Sequence, residues 1–213
     1  MQPADNVFIN DEVFYNKDYE RHRNVLSTDF VVDAGAHVGV FSIKAATVAS
    51  KVISIEPSSN NFKLLNYNIK SNHIKNITTV NTALGDYDGD TVLYLQPSSG
   101  SNSIVNTSAP NSVQAVVVKI RKLDSLIKEL KIERLDFLKI DVEGAELNVL
   151  NGALNTLKKY KPFVVMESHP FITGNLNSKI RSFLENLNYS CIEEDPYIYA
   201  SYDRWSNYCC FQN

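Results

Sequence analysis

From residue 29 onward, short runs of β-branched residues alternate with longer stretches of helical periodicity, and that rhythm restricts the chain to βαβ units around a parallel sheet. "DFVVDAG" and "KVISIEP" read as buried parallel strands, with "GVFSIKAATVAS" as the crossover helix between them. Ser58 or Ser59 caps a helix in "SSNNFKLLNYNIKSN", whose apolar face carries Phe62, Leu65 and Ile69, and "NITTVNTAL" is a third strand. After Gly85 the pattern changes: "DYDGDTVLYLQ" carries a hairpin signal at Asp88 and Gly89, and "VQAVVVKIRKL" alternates at Val116, Val118 and Ile120. The polar stretch between them, 97–112, is long enough to expect a role, and a lid is the expectation. The βα rhythm resumes with a short helix in "DSLIKELK", a strand "RLDFLKID", a helix opened by "VEGAELNVLNGALNTLKKY", a strand "PFVVMES" and a helix over 176–188. "NYSCIEE" and "NYCCFQN" suit a final antiparallel pair.

The 213 residues fit one domain over 29–213, preceded by an N-terminal cap over 1–28 whose aromatics Phe8, Phe14, Tyr15 and Tyr19 pack on it. A formal net charge of -3 argues against a nucleic-acid partner, for which a basic face would supply most of the affinity. Cys191, Cys209 and Cys210 lack CxxC spacing, so neither a zinc site nor a disulfide framework is expected. The first residues lack a basic segment followed by an apolar one, and no apolar run reaches membrane-spanning length; a cytoplasmic protein is expected.

The segment "FVVDAGAHVGVFS" runs a strand into Asp33, then into Gly35 and Gly39, then into a helix. A dinucleotide-binding turn would need glycines at 35, 37 and 40, but His37 and Val40 stand at the latter two, which weakens an NAD or FAD reading. What remains is Asp33 ending strand one and Glu56 ending strand two, two carboxylates at the edge where open α/β sheets bind ligands. Glu56, before Pro57, suits the hydroxyls of a ribose, and the helix N-terminus suits a ligand carboxylate. A nucleoside with an amino-acid tail and a positive centre, S-adenosylmethionine, matches that edge better than a diphosphate does.

"VVDAGAHVGVFS", "VISIEPSSNNFKLLNYNI", "NTALGDYDGD", "VVVKIRKLDSLI" and "LDFLKIDVEGAELNVLNGA", in this order, resemble the FkbM family of S-adenosylmethionine-dependent methyltransferases over roughly residues 29–170, with "KIDVEGAE" the most specific block. The resemblance implies the class I methyltransferase fold: an α/β, Rossmann-like three-layer sandwich with a mostly parallel seven-stranded sheet of order 3-2-1-4-5-7-6, its last strand antiparallel, and an inserted β-hairpin. It implies that Asp33, Gly35, His37 and Gly39 line the methionine side, that Glu56 takes the ribose, and that the segment around Ala83 borders the adenine. His37 stands where Asn is common in the family.

Methyl transfer to a hydroxyl needs a base for the departing proton. Asp141 ends strand four, and Glu167 and His169 end strand five two residues apart, so the implied strand order brings them to the edge that holds Asp33. His169 is the expected base, because an imidazole accepts a proton near neutral pH; Asp141 borders the cofactor and Glu167 orients His169 or the substrate. The plainer reading makes Asp141 the N-cap of a helix starting at Val142, with Glu143 and Glu146 complementing its positive end. Asp141, Glu167 and His169 would also suit Mg²⁺, but no spacing demands an ion, and the metal-free reading is preferred. The implied acceptor is a hydroxyl of a sugar, glycan or secondary metabolite, while "DVEG" after strand four lacks the Pro-Pro turn of many base methyltransferases. A non-catalytic S-adenosylmethionine-binding module and an NAD-binding oxidoreductase are the alternatives.

Overall fold

The structure is a computed structural model that describes residues 17–96, 101–105, 114–168 and 176–202. A seven-stranded sheet forms from β1 (Phe30–Ala34), β2 (Lys51–Ile55), β3 (Ile77–Val80), β7 (Phe137–Ile140), β8 (Phe163–Glu167), β9 (Ser190–Glu194) and β10 (Tyr197–Ser201). Its order is β3-β2-β1-β7-β8-β10-β9, which is 3-2-1-4-5-7-6 when only its own strands are numbered. All neighbours are parallel except β10, which runs antiparallel to both β8 and β9. This is the class I methyltransferase arrangement that the family resemblance implies. The inserted hairpin is present too: β5 (Gly89–Leu95) pairs antiparallel with β6 (Gln114–Arg121), and β4 (Ala83–Leu84) joins β6 to complete a three-stranded sheet.

Two faces bury two cores. Val32, Ala34, Leu138, Ile140, Val164 and Met166 pack beneath α3 (Leu123–Glu129), α4 (Glu146–Gly152), α5 (Leu154–Tyr160) and α6 (Leu176–Glu185). The alternate residues Val31, Phe137, Phe163, Val165, Tyr197 and Tyr199 face α1 (Val40–Ala46) and the segment around Tyr19 and Val25. Because side chains alternate along a strand, Asp33, Lys139 and Glu167 share this second face with Val31, Phe137 and Val165. The helix after β2, α2 (Ser59–Ser71), takes Ser58 as its N-cap, with the side chain accepting from the Asn61 amide, and buries Leu65.

Four local expectations are corrected. "NITTVNTAL" is two strands in different sheets, because Asn81 turns the chain by donating to the carbonyls of Glu56 and Pro57, and Thr82 donates to that of Lys119. No hairpin closes at Asp88 and Gly89, since β4 pairs with β6; Asp88 instead accepts from the Lys122 amide and the Ser125 hydroxyl, holding the start of α3. The helix expected from Val142 starts at Glu146, because Glu143 and Gly144 have φ of 56° and 99°, and Asp141 therefore does not cap it. The helix also breaks at Ala153, where Asp124 accepts from the amides of both Asn155 and Thr156 at the start of α5. Among the described residues the antiparallel partner of "NYSCIEE" is Tyr197–Ser201, joined to it by Asp195 and Pro196; "NYCCFQN", 207–213, lies outside the described residues. Among the described residues, no helix is long and apolar enough to cross a membrane.

Candidate active site

The turn after β1 is built by its own backbone. Gly35 and Ala36 both donate to the Ile55 carbonyl, at 3.0 and 2.9 Å, and Gly35 has φ of 79°. A Cβ on Gly35 would lie 1.7 Å from the Asp141 carbonyl oxygen, so this glycine is required by the close approach of β7's end. Gly39, with φ of 92°, ends the turn against the Leu65 side chain and leads into α1. Between them His37 has φ of 51°, a left-handed conformation that His, like Asn, adopts more readily than most residues. The departure from the family's Asn is thus compatible with the turn.

Beneath the turn lies a residue that sequence reasoning missed. Lys139 is 3% exposed, and its ammonium donates to the Gly35 carbonyl at 2.9 Å while lying 3.1 Å from Asp33 Oδ1 and 3.3 Å from Asp141 Oδ2. Three acceptors surround a group with three hydrogens. Burial pulls the Lys139 ammonium down, but the carboxylates of Asp33 and Asp141 outweigh it, and the net direction is upward. A lysine two residues before Asp141 inside an apolar strand was the available signal, because a buried cation needs a partner. Asp33 is fully buried; its other oxygen accepts from the Ser42 hydroxyl at 2.6 Å, and Ser42 also contacts Ser54.

Glu56 is 4% exposed, and its carboxyl accepts from the His37 amide at 2.9 Å, the Ser58 amide at 2.8 Å and Asn61 Nδ2 at 3.4 Å. Burial pushes it up to about 7, against the pull of those donors. A carboxylate offers about four acceptor positions, so Glu56 retains capacity for about one further hydroxyl. Pro57 follows at the rim, half-buried, and Ala83 opens β4, buried and paired with Ile120.

Asp141 and Glu167, at the ends of adjacent strands, meet at Tyr19. Its hydroxyl lies 3.1 Å from Asp141 Oδ2 and 3.2 Å from Glu167 Oε2, with the ring edge-on to Phe41 and Tyr197. Nothing in the local sequence marked this role; the contacts span more than a hundred residues. The segment is pinned by Tyr199, whose hydroxyl donates to the Asp18 carbonyl, and by Arg21 and His22, which both reach Glu194. Phe8, Phe14, Tyr15 and His169 lie outside the described residues, and β8 ends at Glu167. Of the expected lid, 101–105 is described: Ser103 is buried and donates to the Glu143 carbonyl at 2.5 Å, next to the turn after β7. Glu146 is buried and accepts from the Gly144 amide. Among the described residues, no three or more His, Cys, Asp or Glu side chains are grouped to hold a metal ion. A cavity between α3 and α5, lined in part by Lys122, Lys128 and Lys159, contains none of the expected site residues.

The profile of the methyltransferase FkbM domain matches residues 33–191. The chain is similar to methyltransferase sdnD of Sordaria araneosa, 29% identical over 176 residues that cover 68% of each protein. It is similar to the hexuronic acid methyltransferase AglP of Haloferax volcanii, 28% identical over 142 residues covering 66% of this chain and 56% of AglP. A solved methyltransferase FkbM from Methylobacillus flagellatus superposes with a TM-score of 0.59 at 18% identity, over 88% of this chain and 46% of the other. The chain thus spans about half the length of the last two.

Proposed function

Because the chain belongs to the FkbM family of methyltransferases, we propose that it transfers a methyl group from S-adenosylmethionine to a hydroxyl of a sugar, glycan or secondary metabolite. The observation that carries this reading is the gathering of four acids at one sheet edge: among the described residues, Asp33 and Asp141 flank the Lys139 ammonium, Glu56 accepts from the His37 amide of the turn, and Glu167 meets the Tyr19 hydroxyl. That excess of carboxylates favours a ligand with a positive centre and hydroxyls, and disfavours a diphosphate. The cofactor supplies the activated methyl on a sulfonium.

The protein's work is to hold, align and accept a proton. Asp33 and Gly35, through Lys139 and the turn backbone, together with His37 and Gly39, form the methionine side. Glu56 accepts a ribose hydroxyl beside Pro57, the segment around Ala83 borders the adenine, and Asp141 borders the reacting centre. His169 takes the acceptor's proton, with Glu167 orienting it or the substrate; such assistance is typically worth about 10²–10⁴-fold. Residues 1–28 act as a cap on the 29–213 domain, a reading supported by Tyr19. The naming of AglP as a hexuronic acid methyltransferase supports a sugar as the class of acceptor. No nucleic-acid acceptor and no Mg²⁺ are invoked.

Thermal shift with S-adenosylmethionine, S-adenosylhomocysteine and NAD tests the cofactor. At 100 times its Kd a ligand stabilises by about 2.7 kcal/mol, which for a chain of this size is roughly 5–11 °C. Both adenosyl ligands should raise the midpoint and NAD should not. A shift with NAD alone would return the oxidoreductase reading, and His169→Ala with full transfer activity would remove His169 as the base.

A further inference from the structure

We propose that Tyr19 is a positioning residue: its hydroxyl holds Oδ2 of Asp141 so that Oδ1 is presented to the cofactor, and cofactor affinity thereby depends on the seating of the N-terminal segment 17–23. The inference rests on the S-adenosylmethionine reading above and extends the site to a segment outside the βα framework.

Asp141 needs such a hold. Ile140 of β7 is in register with Met166 of β8, so Asp141 and Glu167 follow side by side at the sheet edge. The backbone then turns away at once through left-handed Glu143 and Gly144, and the Asp141 side chain is 24% exposed. Two contacts fix it, both at Oδ2: the Lys139 ammonium at 3.3 Å and the Tyr19 hydroxyl at 3.1 Å. Among the described residues, Oδ1 has no hydrogen-bond partner. A carboxylate held at one oxygen from two sides presents the other in a fixed direction, and fixing it before the ligand arrives removes an ordering cost from binding.

Tyr19 is itself held in place. It sits in a single 3₁₀ turn, Asp18–Glu20, and is 5% exposed. Its ring lies edge-on to Phe41 and Tyr197, with centroids 5.4 and 5.6 Å away, and the Lys139 ammonium stands 5.1 Å from the ring centre. The hydroxyl also reaches Glu167 Oε2 at 3.2 Å, so one phenol ties the ends of two strands. The turn is seated by groups outside the acidic edge: Tyr199 donates to the Asp18 carbonyl at 2.7 Å, Glu194 meets Arg21 and His22, and Lys44 meets Glu20. Loosening that seat reaches Asp141 through Tyr19, and by linkage a ligand bound against Asp141 strengthens the seat by the same factor.

Calorimetric titration of the full chain with S-adenosylhomocysteine tests this. Tyr19→Phe keeps the ring contacts and should weaken binding by about three- to tenfold, the equivalent of one hydrogen bond. Tyr199→Phe removes a hydroxyl that bonds the Asp18 carbonyl rather than a site carboxylate. It should weaken binding by about twofold or more in the parent and by nothing further in Tyr19→Phe. A ring that merely packs predicts parent affinity for Tyr19→Phe and equal losses from Tyr199→Phe in both backgrounds; either result overturns the inference while leaving the cofactor reading intact. The parent alone supplies a measurement that does not depend on a variant folding. Saturating S-adenosylhomocysteine should slow tryptic cleavage at Lys17 and Arg21 several-fold more than at Lys128 of α3, whereas equal protection overturns the coupling. Binding of neither S-adenosylhomocysteine nor S-adenosylmethionine overturns both readings.

Discussion

Gly35→Ala is the substitution whose consequence is most directly measured by the structure. The new Cβ would sit 1.7 Å from the carbonyl oxygen of Asp141 and 2.8 Å from its carbonyl carbon, and both belong to backbone that leaves β7 in register with β1. Relief requires the end of β7 to move or the turn to change φ from 79°. A left-handed alanine costs about 1–2 kcal/mol, and forcing a methyl group into a packed site costs about 1–3 kcal/mol. Together these predict destabilisation on the order of 2–5 kcal/mol, which at about 2–4 °C per kcal/mol lowers the midpoint by roughly 4–20 °C. Gly39→Ala is the control. Its φ of 92° carries the same conformational strain, but its Cβ would meet only the end of the Leu65 side chain, which swings aside. It should lose only about 1–2 kcal/mol. Thermal and urea unfolding followed by circular dichroism measure both. Titration with S-adenosylhomocysteine should show weaker binding for Gly35→Ala, since Lys139 donates to the Gly35 carbonyl and pairs with the displaced Asp141. A Gly35→Ala midpoint within about 2 °C of the parent, or equal losses for the two variants, would refute the argument that backbone approach, rather than φ alone, requires this glycine.

Three other outcomes are expected. Glu56 is pushed up to about 7 from an ordinary value of 4.5, so its contribution to stability is fully present below about 4.5 and is lost as pH rises through about 7; the stability of the parent relative to Glu56→Gln should fall across that window by on the order of 3 kcal/mol, read from midpoints against pH. Lys139→Met leaves Asp33 buried without its cation and should cost about 3–5 kcal/mol at neutral pH, with the loss shrinking in acid as Asp33 takes up a proton; a pH-independent loss in urea unfolding would contradict this. Asp124→Ala removes the acceptor for the Asn155 and Thr156 amides and should cost about 1–2 kcal/mol without changing S-adenosylhomocysteine affinity, as α5 lies away from the acidic edge.

The amino-acid pattern alone determined the alternation of strands and helices, the position of the glycine turn and the strand ends that carry Asp33, Glu56, Asp141 and Glu167. It did so because β-branched runs, helical periodicity and turn residues act over a few neighbours. Those same local signals failed where a distant partner decided the outcome. Asn81 and Thr82 split one apolar run into β3 and β4 because they bond to residues across the sheet, and Asp88 left its expected hairpin to hold the start of α3. Tyr197–Ser201 became the partner of Ser190–Glu194 by register in the sheet. The candidate site divides along the same line. Its acids follow from strand ends, but Lys139 between Asp33 and Asp141, and Tyr19 between Asp141 and Glu167, come from strand register and from contacts 122 and 148 positions apart in the chain. A carboxylate's place at a strand end is a property of the local chain, whereas its charge partner, its burial and its hydrogen-bond donors exist only after distant segments have packed against it.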